Sequence, residues 1–116
     1  MTKGPHIHIR LWLQEDNKIL LGLGRAQLLK KIEELGSLKK AAENLGMSYR
    51  AAWGRMKRTE AAMGFALLEA AGAKREGLRL SPAGRDAVEA FLTWHEDVRL
   101  YALKRAEGFP FLKNNS

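Results

Sequence analysis

The strongest constraint on this chain lies in residues 36–56, GSLKKAAENLGMSYRAAWGRM, where two short helical patterns meet at a glycine. Ser37 is a good N-cap, and Leu38, Ala41, Ala42 and Leu45 then recur at helical spacing. Gly46 gives the backbone freedom for a sharp turn, Met47 plugs the gap between the two helices, and Ser48 caps a second helix beginning at Tyr49. In that helix Ala52, Met56, Thr59 and Met63 share one face, while Arg50, Gly54 and Lys57 fall roughly opposite and Tyr49 and Trp53 lie on the flank. One face packs and the other is free. This is the spacing of a helix-turn-helix, whose second helix is the candidate reader of a phosphate-rich partner.

The charge distribution agrees with that reading. The chain carries a formal net charge of +7. Its excess sits on residues 36–58, where Lys39, Lys40, Arg50, Arg55, Lys57 and Arg58 face a single acid, Glu43. Such clustering is the electrostatic footprint of a nucleic-acid binder. At 116 residues the chain has room for one modest core, so one domain is expected. There is no cysteine, which excludes disulfides, thiolate metal sites and a cysteine nucleophile. The apolar runs are short and Met1 to Pro5 lacks the apolar stretch of a signal peptide, so a soluble cytoplasmic protein with no membrane role is expected.

Around the helix-turn-helix the pattern changes period. Residues 6–14 alternate, with Ile7, Ile9, Leu11 and Leu13 on one face and His6, His8, Arg10, Trp12 and Gln14 on the other, which predicts a half-buried strand. Glu15 to Lys18 is a polar turn, and Ile19 to Gly22 returns as the second arm of a hairpin. From about Arg25 to Leu35, Ala26, Leu28, Leu29, Ile32 and Leu35 predict a helix that Gly36 ends. After Gly64, residues 66–70 and Leu78 to Leu80 fit a second hairpin, a wing, whose basic tip holds Lys74 and Arg75. Ser81-Pro82 opens a long last helix without a breaker between Arg85 and Glu107. The expected layout is a head over 1–80, the long helix over 81–107 as part of the same domain, and a tail over 108–116 in which Phe109 and Phe111 could anchor. The long helix is apolar on more than one side, so a homodimer is expected with Val88, Phe91, Trp94, Val98 and Tyr101 at the contact.

The order hairpin, helix, helix-turn-helix, wing and long helix is accompanied by specific residues: Gly36-Ser37, Ala41-Ala42, Ser48-Tyr49-Arg50 with Trp53, and Leu80-Ser81-Pro82-Ala83-Gly84. Over roughly residues 7–103 this resembles the N-terminal DNA-binding domain of the ModE family of molybdate-responsive regulators, and more distantly the LysR-type winged helix. The resemblance implies a mainly α (α+β) winged helix-turn-helix with an N-terminal β-hairpin and a long C-terminal dimerisation helix. It also implies a bacterial transcriptional regulator of double-stranded DNA. Full-length ModE members carry an oxyanion-binding domain after the long helix, where this chain stops, so molybdate binding is not expected and a separate sensor protein could supply that role. Both families commonly place an arginine after the glutamate of the first wing strand, whereas Ala70 follows Glu69 here.

Arg50, near the start of the reading helix, is placed to reach guanine O6 and N7 in the major groove. Ser48 and Tyr49 fit phosphate contacts at a helix N-terminus, although capping alone accounts equally for Ser48. Trp53 suits either rim packing or a DNA-backbone contact. Gly54 costs about 1 kcal/mol of helix propensity relative to alanine, and close approach of backbone to DNA is one reason for it. Arg55, Lys57 and Arg58, with Lys74 and Arg75 from the wing, supply non-specific phosphate attraction, and Arg79 reads as a simple strand residue.

His6 and His8 lie two apart on one strand face, but no further ligand converges and His95 is remote in sequence, so no metal or other cofactor is expected. Asp86, Glu89, Glu96 and Asp97 form a solvated helix face. No nucleophile–base constellation or phosphate loop stands out, so the chain reads as a non-enzyme. The rival reading keeps the winged helix as a protein–protein module that docks an acidic partner on its basic face.

Overall fold

The computed structural model describes residues 6–72 and 77–111. A hairpin of β1 (Trp12–Glu15) and β2 (Lys18–Gly22) leads into α1 (Leu23–Leu35), α2 (Leu38–Asn44) and α3 (Tyr49–Met63). A second antiparallel hairpin, β3 (Leu68–Ala71) and β4 (Gly77–Leu80), precedes α4 (Pro82–Ala106). This is a winged helix, with the expected element order throughout.

Local chemistry sets most of the boundaries. Gly36 ends α1 in the left-handed region at φ 70°, and its N–H donates to the Ile32 carbonyl. The Ser37, Ser48 and Ser81 hydroxyls accept from the N–H groups of Lys40, Ala51 and Gly84, capping α2, α3 and α4. Gly46, at φ 71°, makes the turn between α2 and α3, and Met47 packs on the core beneath it. Leu45, expected in the apolar stripe of α2, is instead the C-cap of that helix and stays 38% exposed.

The first strand differs from expectation. Residues 6–11 are not in a strand, and β1 begins only at Trp12. Burial still alternates there, with Ile7, Ile9 and Leu11 half-buried and His6, His8 and Arg10 exposed, so the segment lies against the head without pairing. Within the hairpin the register shifts between Leu13 and Gln14, so that Leu13 faces Leu21 and Gln14 faces Ile19. Leu13 is therefore on the inward side yet remains 45% exposed. It borders an open apolar groove of about 250 Å³ with Leu21, Met63, Phe91 and Trp94.

Leu28, Leu29 and Ile32 of α1 form the centre of the core, covered by Leu38, Ala41 and Ala42 of α2, Ala52 and Met56 of α3, Leu67, and Leu80 of β4. The first half of α4 closes it, and here two expected dimer residues change place: Val88 is 3% and Phe91 2% exposed. They belong to the head's own core, because α4 runs across α1 before it leaves the head. Trp94 and Tyr101 stay 37% and 65% exposed, and Val98 is half-buried. Phe109 and Phe111 stack edge-on against each other at 5.3 Å while staying solvent-exposed. Among the described residues, no helix is long and apolar enough to cross a membrane.

One carboxylate joins three elements. Glu33 of α1 accepts the Leu80 N–H at 2.7 Å through Oε1 and the Arg85 Nη2 at 2.6 Å through Oε2. The Leu80 N–H first, and then the Arg85 guanidinium, hold the Glu33 carboxyl below its ordinary pKa. A carboxylate depressed in the folded state stabilises above its unfolded pKa and loses that contribution as pH falls through the folded one. Glu33→Gln should therefore cost about 1 kcal/mol at pH 7, at the low end for charge-assisted bonds because the carboxylate is partly solvated. The difference from the parent should shrink towards zero as urea-unfolding curves are taken from pH 5 to pH 3. A gap that stays constant over that range would contradict the role assigned to the charge.

Candidate nucleic-acid interface

α3 has the two-sided character its sequence promised. Ala52, Met56 and Thr59 are buried, and the Thr59 hydroxyl is satisfied by donating to the Arg55 carbonyl at 2.8 Å. On the other side Tyr49, Arg50, Trp53 and Lys57 are exposed. Lys57 is held in place, with Nζ 4.7 Å from the centre of the Trp53 ring and 3.8 Å from Glu60 Oε1. Arg50 has no hydrogen bond or ion pair among the described residues, so its guanidinium is free for a partner. The Ser48 hydroxyl is engaged in capping, which leaves Tyr49 and Arg50 as the outward groups at this helix start.

The wing is fixed beside this helix by Glu60, a residue that no sequence pattern marks. Its Oε2 accepts the Leu67 N–H at 2.8 Å and the Leu68 N–H at 3.4 Å, tying the start of β3 to the last turns of α3. Across the wing, Arg79 pairs with Glu69 at 2.7 Å, consistent with a strand residue rather than a free cation. Lys74 and Arg75, the expected tip cations, lie outside the described residues.

Arg55 and Arg58 border a groove that Arg50 and Lys57 do not. They turn towards the first hairpin and the start of α1, where they line a groove with Arg25, Trp12 and His95. Gly54 has a local explanation in this arrangement: a β-carbon there would lie 3.1 Å from Arg58 Nη1, so the glycine leaves room for that guanidinium. Arg25 carries no motif of its own in the sequence, although Gly22-Leu23-Gly24 before it signals a helix start without a side-chain cap. Burial, followed by the Arg55 and Arg58 guanidiniums, lowers its pKa from the ordinary arginine value.

Similarity to known proteins decides the family. The family model described as bacterial regulatory helix-turn-helix protein, lysR family, matches residues 23–85, from the first residue of α1 into the first turn of α4. The chain belongs to the LysR family. The matched span of this LysR-family chain begins immediately after the β1–β2 hairpin. The CbnR DNA-binding domain, crystallised in complex with DNA, is 25% identical with a TM-score of 0.58 over 74% of this chain and 97% of that one. The BenM DNA-binding domain in complex with benA site 1 DNA shares the fold at 20% identity and a TM-score of 0.60, over 77% of this chain and 100% of that one. Full-length CbnR complexed with its target DNA is matched over 72% of this chain at 23% identity and a TM-score of 0.59, and the match spans only 28% of that regulator. No curated protein sequence matches.

Proposed function

We propose that this LysR-family chain is a sequence-specific, double-stranded-DNA-binding transcriptional regulator of ModE-like type that acts as a homodimer. The observation that carries the reading is Arg50, a guanidinium without a partner among the described residues, in the first turn of a helix whose opposite face is locked into the core. A helix anchored this way presents its N-terminal residues to a major groove, where an arginine reads guanine through two hydrogen bonds. Tyr49, Trp53 and Lys57 would flank it on the backbone, and the wing would reach neighbouring phosphates. Relatives of this fold crystallised with DNA support the same use. The ModE-like assignment rests on Ser48-Tyr49-Arg50 with Trp53 and on the hairpin that precedes the LysR-matched span. The dimer contact is assigned to Trp94, Val98 and Tyr101, on the part of α4 beyond the head core.

Selection of bound fragments from random duplex DNA would define the site. On that site Arg50→Ala should cost about 1–3 kcal/mol and flatten the preference at one position per half-site, whereas Lys57→Ala should weaken all sequences alike. A selected motif and affinity unchanged by Arg50→Ala would mean that α3 does not read bases in this orientation. Docking to an acidic protein with no retention on duplex DNA would favour the interaction-module reading instead.

A further inference from the structure

The groove between the first hairpin, the start of α1 and α3 has an unusual balance of groups. Its volume is about 580 Å³, within the range of small-molecule sites. Arg10, Arg25, Arg55 and Arg58 all line it, and among the described residues no aspartate or glutamate does. Arg25 Nη1 donates to the Ile19 carbonyl at 3.0 Å, which fixes that guanidinium at the groove wall. Arg10, Arg55 and Arg58 have no ion pair among the described residues. Two further groups are left unmet. The α1 N-terminus opens at Gly22 with no side-chain cap and no acid in its first turn. His95, also on the lining, has a buried Nε2 without a hydrogen-bond partner among the described residues. Like charges held close at a helix N-terminus repel one another unless an anion sits among them.

We propose that this groove is a binding site for a phosphate-type oxyanion, clamped by Arg25, Arg55 and Arg58. Planar guanidiniums suit the tetrahedral oxygens of a phosphate, and exposed amides at the start of a helix favour the same charge. The phosphate can come from a free small molecule or from a DNA backbone running past α3, and both present the same chemistry to the clamp. Neither Arg50 nor Lys57 lines this groove, so the site is separate from base reading; the DNA-backbone source rests on the proposed function, whereas binding of a free phosphate stands even where that function fails.

The probe is inorganic pyrophosphate, titrated into the full chain against sodium chloride of matched ionic strength, with thermal melting as the readout. The Arg55→Gln/Arg58→Gln variant removes two cations that hold no ion pair among the described residues, so it should fold, and Arg25→Gln provides an independent removal from α1. If the source is a free phosphate, pyrophosphate should raise the parent's Tm saturably by about 4 °C or more, and both variants should abolish that rise. If the source is the DNA backbone, pyrophosphate should have no specific effect, and both variants should bind duplex DNA with a shallower salt dependence, the slope falling by about one for each arginine removed. The site is refuted if pyrophosphate stabilises parent and variants equally. It is also refuted if there is no stabilisation and the variants keep the parent's DNA affinity and salt slope. Where the parent does not bind duplex DNA, the pyrophosphate melt alone decides, and an Arg50→Ala variant that keeps the parent's pyrophosphate stabilisation separates this site from the reading helix.

Discussion

Gly84→Ala should lower the melting temperature by on the order of 10 °C, although the same change in an ordinary helix would raise it. Gly84 is buried in the first turn of α4, where a β-carbon would collide with the carbonyl oxygen of Leu67. That oxygen cannot withdraw easily. It accepts the Ser81 N–H at 2.9 Å, while the Ser81 hydroxyl donates to the Ala66 carbonyl at 2.7 Å, so two adjacent carbonyls are bound to the helix cap. Forcing backbone apart in a packed site costs about 3 kcal/mol, against a propensity gain of about 1 kcal/mol, and the clash wins. Gly54→Ala is the opposing case, because there the obstacle is the far end of the flexible Arg58 side chain. It should raise the melting temperature by a few degrees. Equal shifts of the same sign at both positions would show that the α4 junction is less constrained than its geometry requires.

The second large effect concerns assembly. Val98→Glu with Tyr101→Glu should halve the mass measured by light scattering at tens of micromolar, with the head still folded by circular dichroism, because neither side chain lies in the head core. Affinity for a two-fold symmetric DNA site should fall on the order of 100-fold, since two linked heads bind with an avidity that one lacks. A parent protein that is already monomeric at these concentrations would remove the basis for this prediction. Charging Phe91 would be a poor test, because it would unfold the head.

How legible these features are in the sequence depends on how local their causes are. Ser37, Ser48 and Ser81 cap helices through hydrogen bonds three residues ahead, so the starts of α2, α3 and α4 can be read directly. Gly36, Gly46 and Gly64 mark turns for the same reason. Alternation overextends the first strand because it records burial, and Ile7, Ile9 and Leu11 are partly buried without pairing. The apolar residues of α4 signal surplus surface but do not say which of them the head will take, and it takes Val88 and Phe91. In the candidate interface, Arg50 and Lys57 follow from helix periodicity. Arg25 comes near Arg55 and Arg58 only through tertiary folding, and Glu60 and Glu33 act on backbone N–H groups that no side-chain pattern reveals.

The Glu33 junction has a mechanical consequence. By gripping both Leu80 and Arg85, it welds the base of α4 to the strand just before it and to α1, so the long helix leaves the head as a stiff spar. Beyond Leu92, the last residue packed on the core, about 14 residues remain to Ala106, roughly 21 Å, and a tilt of about 8° where the helix leaves the head would swing its tip by about 3 Å. That is close to the rise of one base-pair step, about 3.4 Å. In a two-fold assembly joined along α4, the anchoring of that helix by Glu33 together with Val88 and Phe91 would thus hold the two heads in phase with their half-sites rather than one step out of it.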